Sequence, residues 1–310
     1  MKILVTGCSG YLGSSLTTKL LNLGHNVYGV DKNLFSSNSL NHLYSNKKFL
    51  FENYDVREKS KPRKILSKVD LIIPLAGLVG APLCEKFKKD AISTNLDIIK
   101  YICKIKSKNQ KIIYPTTNSG YGVGKKNEYC DENTPLNPIS LYGITKVEAE
   151  KVVLDTDNTV SFRLATVFGY SYRMRTDLLV NNLVLIAYLK RKIEVFEPHF
   201  RRNYIHISDV INGFCFAKDN FKIMKNNTYN LGLSNANLTK LQLIKKIKNH
   251  VKDLKIKVIK NKKDPDKRDY FVSNKKIEKI GFRSKTSLDD GISELLKLYK
   301  FSKLKIKNNY

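Results

Sequence analysis

Runs of β-branched and aromatic residues alternate with helix-like apolar spacing along the first half of the chain. Predicted strands lie at residues 2–6, 26–31, 48–55, 70–77, 111–117 and 160–169. The helical patterns between them lie at 12–23, 59–68, 84–106 and 141–154. Because the strands are almost continuously apolar, the pattern predicts a parallel sheet that helices cover on both faces.

The alternation weakens after Gly169. Helical spacing continues at 176–191, 238–251 and 288–300, and shorter strand-like runs lie at 203–210 and 228–232. We therefore predict an α/β fold with a doubly wound parallel sheet in residues 1–169 and a smaller α/β lobe in residues 170–310. Segments near 203–232 are expected to return to the first lobe.

Composition narrows the class of protein. With 310 residues and 42% hydrophobic content, the chain can bury a sizeable core. It has no apolar run of about 18 residues, and MKILVTG leads directly into a strand, so we expect a cytoplasmic protein. The five cysteines are scattered without a CxxC pair, which predicts a reducing compartment and no metal site.

The net charge of +28 raises the question of a nucleic-acid partner. The positive charge comes from 46 Lys and only 10 Arg, spread along the whole chain rather than clustered. Nucleic-acid binders more often concentrate their charge and use Arg to read bases. We therefore predict no nucleic-acid partner, and a solvated lysine surface that attracts an anionic substrate.

Three glycines follow the first predicted strand and open the first helix. Gly7 suits a tight turn, Gly10 lets the backbone approach a pyrophosphate, and Gly13 lets the helix pack closely on the strand. Asp31 ends the next strand 18 residues after Gly13, where a carboxylate binds both ribose hydroxyls and repels a 2′-phosphate. The loop predicts NAD as cofactor, although the neighbouring Lys32 weakens the discrimination against NADP.

Tyr142 and Lys146 share one face at the start of a predicted helix. A free tyrosine ionises near pH 10, and a nearby ammonium favours the phenolate and lowers that pKa. The pair can therefore remove a hydroxyl proton while hydride leaves the same carbon. Thr117 lies at the end of the preceding predicted strand and joins them as a candidate.

These motifs together resemble one enzyme family. TGxxGxxG at 6–13, Asp31, Asp55-Val56, LAG at 75–77, Asn95, TTNSGYG at 116–122 and YGITK at 142–146 are similar to the extended short-chain dehydrogenases/reductases. RNYIHISDV at 202–210 and DPDKRDY at 264–270 extend the similarity into the second lobe. The resemblance is to the NAD-dependent nucleotide-sugar epimerases and dehydratases, with a Rossmann-type cofactor domain and a nucleotide-sugar-binding lobe.

The resemblance implies a role for each matching residue. The implied catalytic residues are Tyr142, Lys146 and Thr117. The implied cofactor-binding residues are Gly7, Ser9, Gly10, Tyr11, Leu12, Gly13, Asp31, Asp55, Val56, Leu75, Ala76, Gly77, Asn95, Tyr142 and Lys146. The implied substrate-binding residues are Thr117, Asn118, Ser119, Asn181 (or its neighbour Asn182), Arg202 and Arg268. Pairing of helices 84–106 and 141–154 across a homodimer is also implied.

Residues 117–119 narrow the reaction. The 4,6-dehydratases of this family carry Thr-Asp-Glu where this chain reads Thr117-Asn118-Ser119, and an amide and a hydroxyl cannot replace that acid/base pair. We therefore expect oxidation at C4 of a nucleotide-activated sugar for surface polysaccharide biosynthesis, with the ketone either released or reduced to the 4-epimer.

Several alternatives stay open. The run from Arg163 to Asn182 resembles GDP-heptose 4-oxidoreductases, which makes GDP-heptose one candidate substrate. A UDP-hexose 4-epimerase is the second candidate, although the Phe-Asn pair of those enzymes is missing. A steroid- or flavonoid-type reductase shares the fold, and a non-catalytic NAD- or RNA-binding protein is the alternative of another class.

Overall fold

A seven-stranded parallel sheet forms the centre of the larger lobe. The computed structural model describes residues 1–35, 38–58, 64–125, 128–259 and 268–302. Its strands are β1 (Lys2–Thr6), β2 (Asn26–Asp31), β3 (Phe49–Asn53), β4 (Leu71–Pro74), β5 (Lys111–Thr117), β7 (Thr159–Leu164) and β11 (Asn227–Leu231). The sheet order is β3-β2-β1-β4-β5-β7-β11, and every neighbouring pair is parallel. The predicted Rossmann-type α/β class is confirmed.

Helices cover both faces of this sheet. The helices, in chain order, are α1 (Tyr11–Asn22), α2 (Ala81–Lys86), α3 (Lys88–Ile92), α4 (Ile98–Ile105), α5 (Leu141–Leu154), α6 (Leu179–Lys190), α7 (Ile207–Asp219), α8 (Phe221–Met224), α9 (Lys240–His250), α10 (Lys275–Lys279) and α11 (Leu288–Phe301). Ile3 and Val5 of β1 enter one core with α1 and α7, whereas Leu4 enters the other core with α4 and α5. The two-residue period of the strand thus divides one apolar run between two cores.

The prediction of one long helix at 84–106 is wrong, because this segment is interrupted at Phe87 and again by a π-helical turn. Phe87 separates α2 from α3 with φ −122° and ψ 60°, and a π-helical turn at Ser93–Asp97 separates α3 from α4. No glycine or proline marks either break within that span, so apolar spacing alone could not locate them. The short helix predicted at 59–68 lies partly outside the described residues.

The strand predicted at 160–169 is also wrong, because it is two strands in different sheets. β7 ends at Leu164 in the main sheet, and β8 (Thr166–Phe168) pairs with β10 (Arg201–His206). All six residues of β7 are buried, whereas in β8 Thr166 and Val167 are half-buried and Phe168 is buried, so no exposed polar run marks the change of sheet. Ala165 is the point at which the chain leaves the main sheet for the second lobe.

The smaller lobe has its own core and three small sheets. Besides β8 and β10, its strands are β6 (Tyr129–Cys130), β9 (Lys192–Val195), β12 (Asn237–Thr239), β13 (Lys255–Val258) and β14 (Phe271–Val272). One sheet has the order β12-β10-β8, and the pairs β13-β9 and β14-β6 form the other two. Phe168, Val184, Leu243 and Leu295 meet in this core, whereas α7 and β11 belong to the main sheet and its core.

The helices of the described ranges include none with the length and apolar character that a membrane crossing requires.

Phe168 is fully buried at the end of β8, and its ring lies edge-on to His206 with centroids 5.4 Å apart. Truncation by Phe168→Ala should lower the free energy of unfolding by about 3–5 kcal/mol, because it removes a buried ring and leaves a cavity. Chemical denaturation measures the change. Leu189→Ala on α6 is the control: this side chain is 50% exposed, and the expected change is below about 0.5 kcal/mol. Equal effects of the two substitutions would contradict the assignment of the second core.

Candidate active site

The predicted cofactor loops and Thr117 lie at the carboxyl edge of the main sheet. The chain after β1 turns to one side of the sheet and the chain after β4 belongs to the other side, so a crevice opens between them. The glycine loop follows β1, residues 75–80 follow β4, and Thr117 ends β5. This is the place where open α/β sheets bind ligands.

The glycine loop packs too closely for side chains. Gly7 has φ +69°, and a Cβ there would lie 2.6 Å from the backbone nitrogen of Ala76. A Cβ on Gly13 would lie 1.9 Å from the carbonyl oxygen of Gly7. Gly10 donates its N–H to the same oxygen at 3.1 Å. The loop therefore offers bare backbone at the N-terminus of α1, as a dinucleotide pyrophosphate requires.

Asp31 is held in place by backbone donors. Its carboxylate accepts the N–H of Ser9 at 3.0 Å and that of Asn33 at 2.9 Å. Ser9, Gly10, Asp31, Leu34, Phe35 and Arg173 line one small cavity. A fixed carboxylate beside the glycine loop is the group that an NAD ribose needs.

Lys32, which follows Asp31, is paired elsewhere. Its Nζ lies 2.9 Å from Oδ2 of Asp55, and Arg57 binds the same carboxylate through Nη2 at 2.6 Å and Nε at 2.9 Å. Arg57, together with Lys32, holds the pKa of Asp55 well below its usual range. Val56 is buried in the core behind them. The ammonium of Lys32 is therefore directed toward Asp55, which strengthens the discrimination against NADP.

Asn95 fixes the loop after β4. Its amide accepts the N–H of Leu78 and donates to the carbonyl of Leu78, both at 2.9 Å. A Cβ on Gly77 would lie 2.6 Å from Oδ1 of Asn95. The side chain of Asn95 thus shapes this loop from the π-helical turn.

Other predicted cofactor residues support the loops. Leu75 and Ala76 donate their N–H groups to the carbonyl and hydroxyl oxygens of Thr6, at 3.1 and 3.2 Å. Tyr11 donates its hydroxyl to the carbonyl of Gly169 at 2.8 Å, and Leu12 packs on the core beneath α1. Direct contacts of these residues with the cofactor remain predictions.

Helix α5 begins at the catalytic candidates. Ser140 caps it by accepting the N–H of Gly143 at 3.2 Å, and Tyr142 and Lys146 follow on successive turns. Burial raises the pKa of Tyr142 to about 12, while Arg268 and a hydrogen bond with Thr117 act in the opposite direction. Burial lowers the pKa of Lys146 to about 7. The phenol is therefore protonated at neutral pH before a ligand adds positive charge.

Thr117 begins a 3₁₀ turn that carries the next two predicted residues. Its Oγ1 accepts the N–H of Ser119 at 3.1 Å and donates to Oγ of Ser119 at 2.9 Å. Asn118 and Ser119 are each 1% exposed, and the Asn118 amide makes no hydrogen bond within the described residues. Residues 117–119 include no carboxylate, so this segment adds no strong acid or base to Tyr142 of α5.

Arg268 reaches this segment from the second lobe. Its Nη1 donates to Oγ of Ser119, which places a guanidinium two residues from Thr117. The next residue, Asp269, binds Arg201 through two contacts of 2.7 and 2.9 Å. That ion pair holds the segment of Arg268 against β10. The preceding residues 264–267 of the predicted motif lie outside the described residues.

Arg202 and Asn181 are buried in different surroundings. Arg202 is 4% exposed, lies over the ring of Tyr270 at 5.6 Å, and donates to the carbonyl of Arg201 at 2.8 Å. Asn181 is fully buried, and its amide binds the backbone of Gly169 at 3.0 Å and that of Arg175 at 2.9 Å. Here Asn181 holds the loop after β8. Its substrate contact stays a prediction.

Sequence patterns missed several residues that surround the site. These are Arg57, which pairs with Asp55; Arg201, which pairs with Asp269; and Glu150 and Tyr114, which flank Lys146. The spacing of Tyr142, Lys146 and Glu150 at four-residue intervals is the one signal that could have identified Glu150. Across the ranges that the structure describes, no cluster of three or more His, Cys, Asp or Glu could hold a metal ion.

Comparison with known proteins agrees with this geometry. Residues 3–232 match the model of the family described as "NAD dependent epimerase/dehydratase family". The uncharacterized UDP-glucose epimerase YtcB of Bacillus subtilis is 29% identical over 232 residues, covering 69% of this chain and 71% of YtcB. The CDP-paratose 2-epimerase of Salmonella typhi is 27% identical and covers 95% of this chain and 98% of its own length.

Solved structures share the whole fold. The UDP-glucuronic acid 4-epimerase of Bacillus cereus, in complex with UDP-glucuronic acid and NAD, superposes with a TM-score of 0.85 at 23% identity. The match covers 97% of this chain and 99% of that chain, and at this identity it shows the fold alone. The family match removes the non-catalytic alternative. The chain belongs to the NAD-dependent epimerase/dehydratase family and is an enzyme whose cofactor is NAD.

Proposed function

We propose that this enzyme oxidises C4 of a nucleotide-activated sugar, as a 4-oxidoreductase or a 4-epimerase. The observation that carries the proposal is the contact of Arg268 with Ser119, two residues from Thr117. A guanidinium binds a diphosphate bidentately, so Arg268 can hold a nucleotide diphosphate next to the catalytic tyrosine. Arg202, buried beside Tyr270, supplies a second guanidinium to the same lobe.

Tyr142 supplies the base in this reaction. A hydrogen bond with Thr117 lowers the pKa of the phenol. We expect the Lys146 ammonium, one turn along the same helix, to favour the phenolate as well. NAD, which the glycine loop and Asp31 would hold, would supply the hydride acceptor for C4 and a positively charged ring that further favours the phenolate. Tyr142 then takes the proton of the C4 hydroxyl, so that proton and hydride leave the same carbon.

The chemistry available after oxidation is limited by residues 117–119. Loss of water from C6 requires an acid and a base near C5 and C6, and Asn118 and Ser119 provide an amide and a hydroxyl. The proposal therefore excludes 4,6-dehydration. The 4-ketone either leaves as product or turns over within the site and is reduced from its other face.

Two nucleotide sugars are candidates for the substrate. The similarity of residues 163–182 to GDP-heptose 4-oxidoreductases supports a GDP-heptose, made for surface polysaccharide. The second candidate is a UDP-hexose, which the names of YtcB and of the Bacillus cereus epimerase support. Incubation of the NAD-loaded enzyme with GDP-, UDP-, dTDP- and CDP-sugars, followed by NMR and NADH absorbance, distinguishes them.

Each outcome of that panel has one meaning. An epimer without net NADH would establish a 4-epimerase, and a 4-keto sugar with NADH would establish a dehydrogenase. Loss of the C6 oxygen would overturn the exclusion of dehydration. If no nucleotide sugar in the panel reacted while NAD stayed bound, the assignment of the substrate class would fail.

Replacement of the base should abolish most turnover. Tyr142→Phe keeps the ring but removes the proton acceptor, so kcat on the sugar identified above should fall about 100- to 10,000-fold. Initial rates measure the loss, and NAD content confirms that the cofactor still binds. Tyr44→Phe, at a 53% exposed position, is the matched control and should retain the parental rate. A Tyr142→Phe rate within a factor of three of the parent would exclude this residue as the base.

A homodimer is proposed through the helices beside the site. Apolar side chains on the segments 84–106 and 141–154 are exposed: Phe87 at 43%, Ile92 at 40% and Ile144 at 39%. Exposed apolar groups on neighbouring helices are typical of protein interfaces. A second copy of this chain that packs the same helices would cover them, as the family resemblance implies.

The double substitution Phe87→Lys with Ile144→Lys should convert the dimer to a single chain of 35.6 kDa, because two charges would enter an apolar interface. Light scattering after size-exclusion chromatography measures the mass. Ile223→Lys, at a 60% exposed apolar position on α8, is the control and should leave the dimer intact. A parental protein that already elutes as one chain would refute the proposed interface.

A further inference from the structure

Burial of Lys146 opposes the positive charge that its proposed role requires. Its role requires an ammonium, since a neutral amine neither favours the Tyr142 phenolate nor supplies a positive charge. Yet burial lowers the pKa of Lys146 to about 7 even though Glu150 and Cys84 act in the opposite direction, so only about half of the charge remains at neutral pH. Within the described part of the chain, its Nζ makes no hydrogen bond. Other groups must hold this charge.

Tyr114 lies beneath the ammonium. Nζ of Lys146 lies 4.1 Å from the centroid of the Tyr114 ring, on the neighbouring strand β5. The ring is fully buried and Lys146 is half-buried, so this cation–π contact is shielded from water on the side of the ring. Among the described residues, the Tyr114 hydroxyl has no hydrogen-bond partner. The ring face, rather than the hydroxyl, is therefore the part of Tyr114 that acts on Lys146.

Glu150 lies one turn after Lys146 on α5. Its side chain is 3% exposed, and Oε1 accepts Nε of Arg163 at 2.9 Å and Nη2 of Arg163 at 2.7 Å. Ser161 donates to Oε2 at 3.4 Å. Arg163 itself donates to the hydroxyl of Tyr121 at 3.1 Å. These donors hold the buried carboxylate of Glu150 in one orientation.

The charge on Glu150 acts on Lys146 directly. Among the groups around the ammonium, Glu150 counteracts burial most strongly and raises the pKa of Lys146, and Cys84 of α2 acts in the same direction. Burial raises the pKa of Cys84 to about 11, so its thiol is neutral at physiological pH and contributes little charge. Arg268 and Arg175 face Tyr142 and lower its pKa. Glu150 is therefore the fixed negative charge of this cluster.

We propose that Glu150 and Tyr114 are positioning residues that keep Lys146 in its ammonium form: Glu150 as a fixed buried charge, Tyr114 as a ring face beneath Nζ. Arg163 holds Glu150 in place. Neither residue touches the reacting sugar, and both act through Lys146. The inference rests on the proposed role of Lys146 but does not depend on which sugar the enzyme uses.

The direction in which the pKa of Lys146 should change follows from the charges around it. Removing a negative charge or a ring face destabilises the ammonium, so the pKa of Lys146 falls. Glu150→Gln should lower it by about 1, as expected for loss of a nearby opposite charge. Tyr114→Leu should lower it by about 0.5, as expected for loss of one shielded cation–π contact.

Lysine NMR measures this pKa without a sugar substrate. The NAD-loaded enzyme is labelled with carbon-13 at the lysine ε position and titrated between pH 5 and about 11. Ordinary lysines have a pKa of about 10.4 and titrate at the upper end of this range. One of the 46 lysines should titrate near neutrality, and its signal should be absent in Lys146→Met. The shift of that single signal in each variant is the readout.

Matched controls separate positioning from general damage. Tyr114→Phe keeps the ring and removes only the unpartnered hydroxyl, so the pKa of Lys146 should be unchanged. Ser161→Ala removes a weak contact with Glu150 but leaves the charge, and should also leave it unchanged. If Glu150→Gln failed to fold because Arg163 loses its anion, the difference in the Lys146 pKa between Tyr114→Leu and Tyr114→Phe would still test the role of the ring. An unshifted signal in folded Glu150→Gln or in Tyr114→Leu would overturn the role of that residue.

A pH–rate profile extends the test once a sugar has been identified. The alkaline limb of kcat, where Lys146 loses its proton, should move to lower pH in Glu150→Gln and Tyr114→Leu by the amount seen in the NMR titration. A uniform loss of rate at every pH, without movement of the limb, would mean that the residues are only structural. If no sugar reacted, the proposed function would fail, while the NMR titration would still decide the role of Glu150 and Tyr114.

Discussion

The ion pair between Glu150 and Arg163 joins the catalytic helix to the main sheet. Glu150 lies on α5 with Tyr142 and Lys146, and Arg163 lies on β7, the strand next to β5 and its Thr117. Removing one member of a buried pair typically costs about 3–5 kcal/mol, because the other charge stays buried alone. This contact therefore fixes the catalytic helix on β7, while Ala149 and Val153 pack the same helix on Tyr114 of β5.

The second lobe reaches the site through two kinds of contact. Arg268 bonds Ser119 beside the catalytic threonine, and the Arg201–Asp269 pair fixes its segment to β10. On the cofactor side, Tyr11 bonds the carbonyl of Gly169, where β8 ends. Polar contacts thus join the second lobe, which begins after Ala165, to both the substrate side and the cofactor side of the first lobe.

The sequence predicted the bounds of those strands and helices that apolar spacing and capping residues determine. Strand 111–117 and helix 141–154 have the predicted bounds, because apolar runs and a serine cap mark them in the sequence. The change of sheet at Ala165 was missed, since a strand buried in either sheet needs the same apolar residues. The Arg201–Asp269 and Glu150–Arg163 pairs were missed because they depend on how distant segments pack, and many other charged pairs could be drawn from a chain with 56 basic residues.

The pairing of Lys32 with Asp55 has a consequence for cofactor engineering. An NADP-accepting variant needs a cation where the 2′-phosphate would lie, and Lys32 is the nearest one along the chain. Replacing Asp31 alone would remove the repulsive carboxylate but leave Lys32 bound to Asp55, which Arg57 in turn secures. Replacement of Asp31 would therefore leave Arg173, which lines the same cavity, as the cation nearest the ribose site, and recruiting Lys32 as well would take a second substitution that releases it from Asp55.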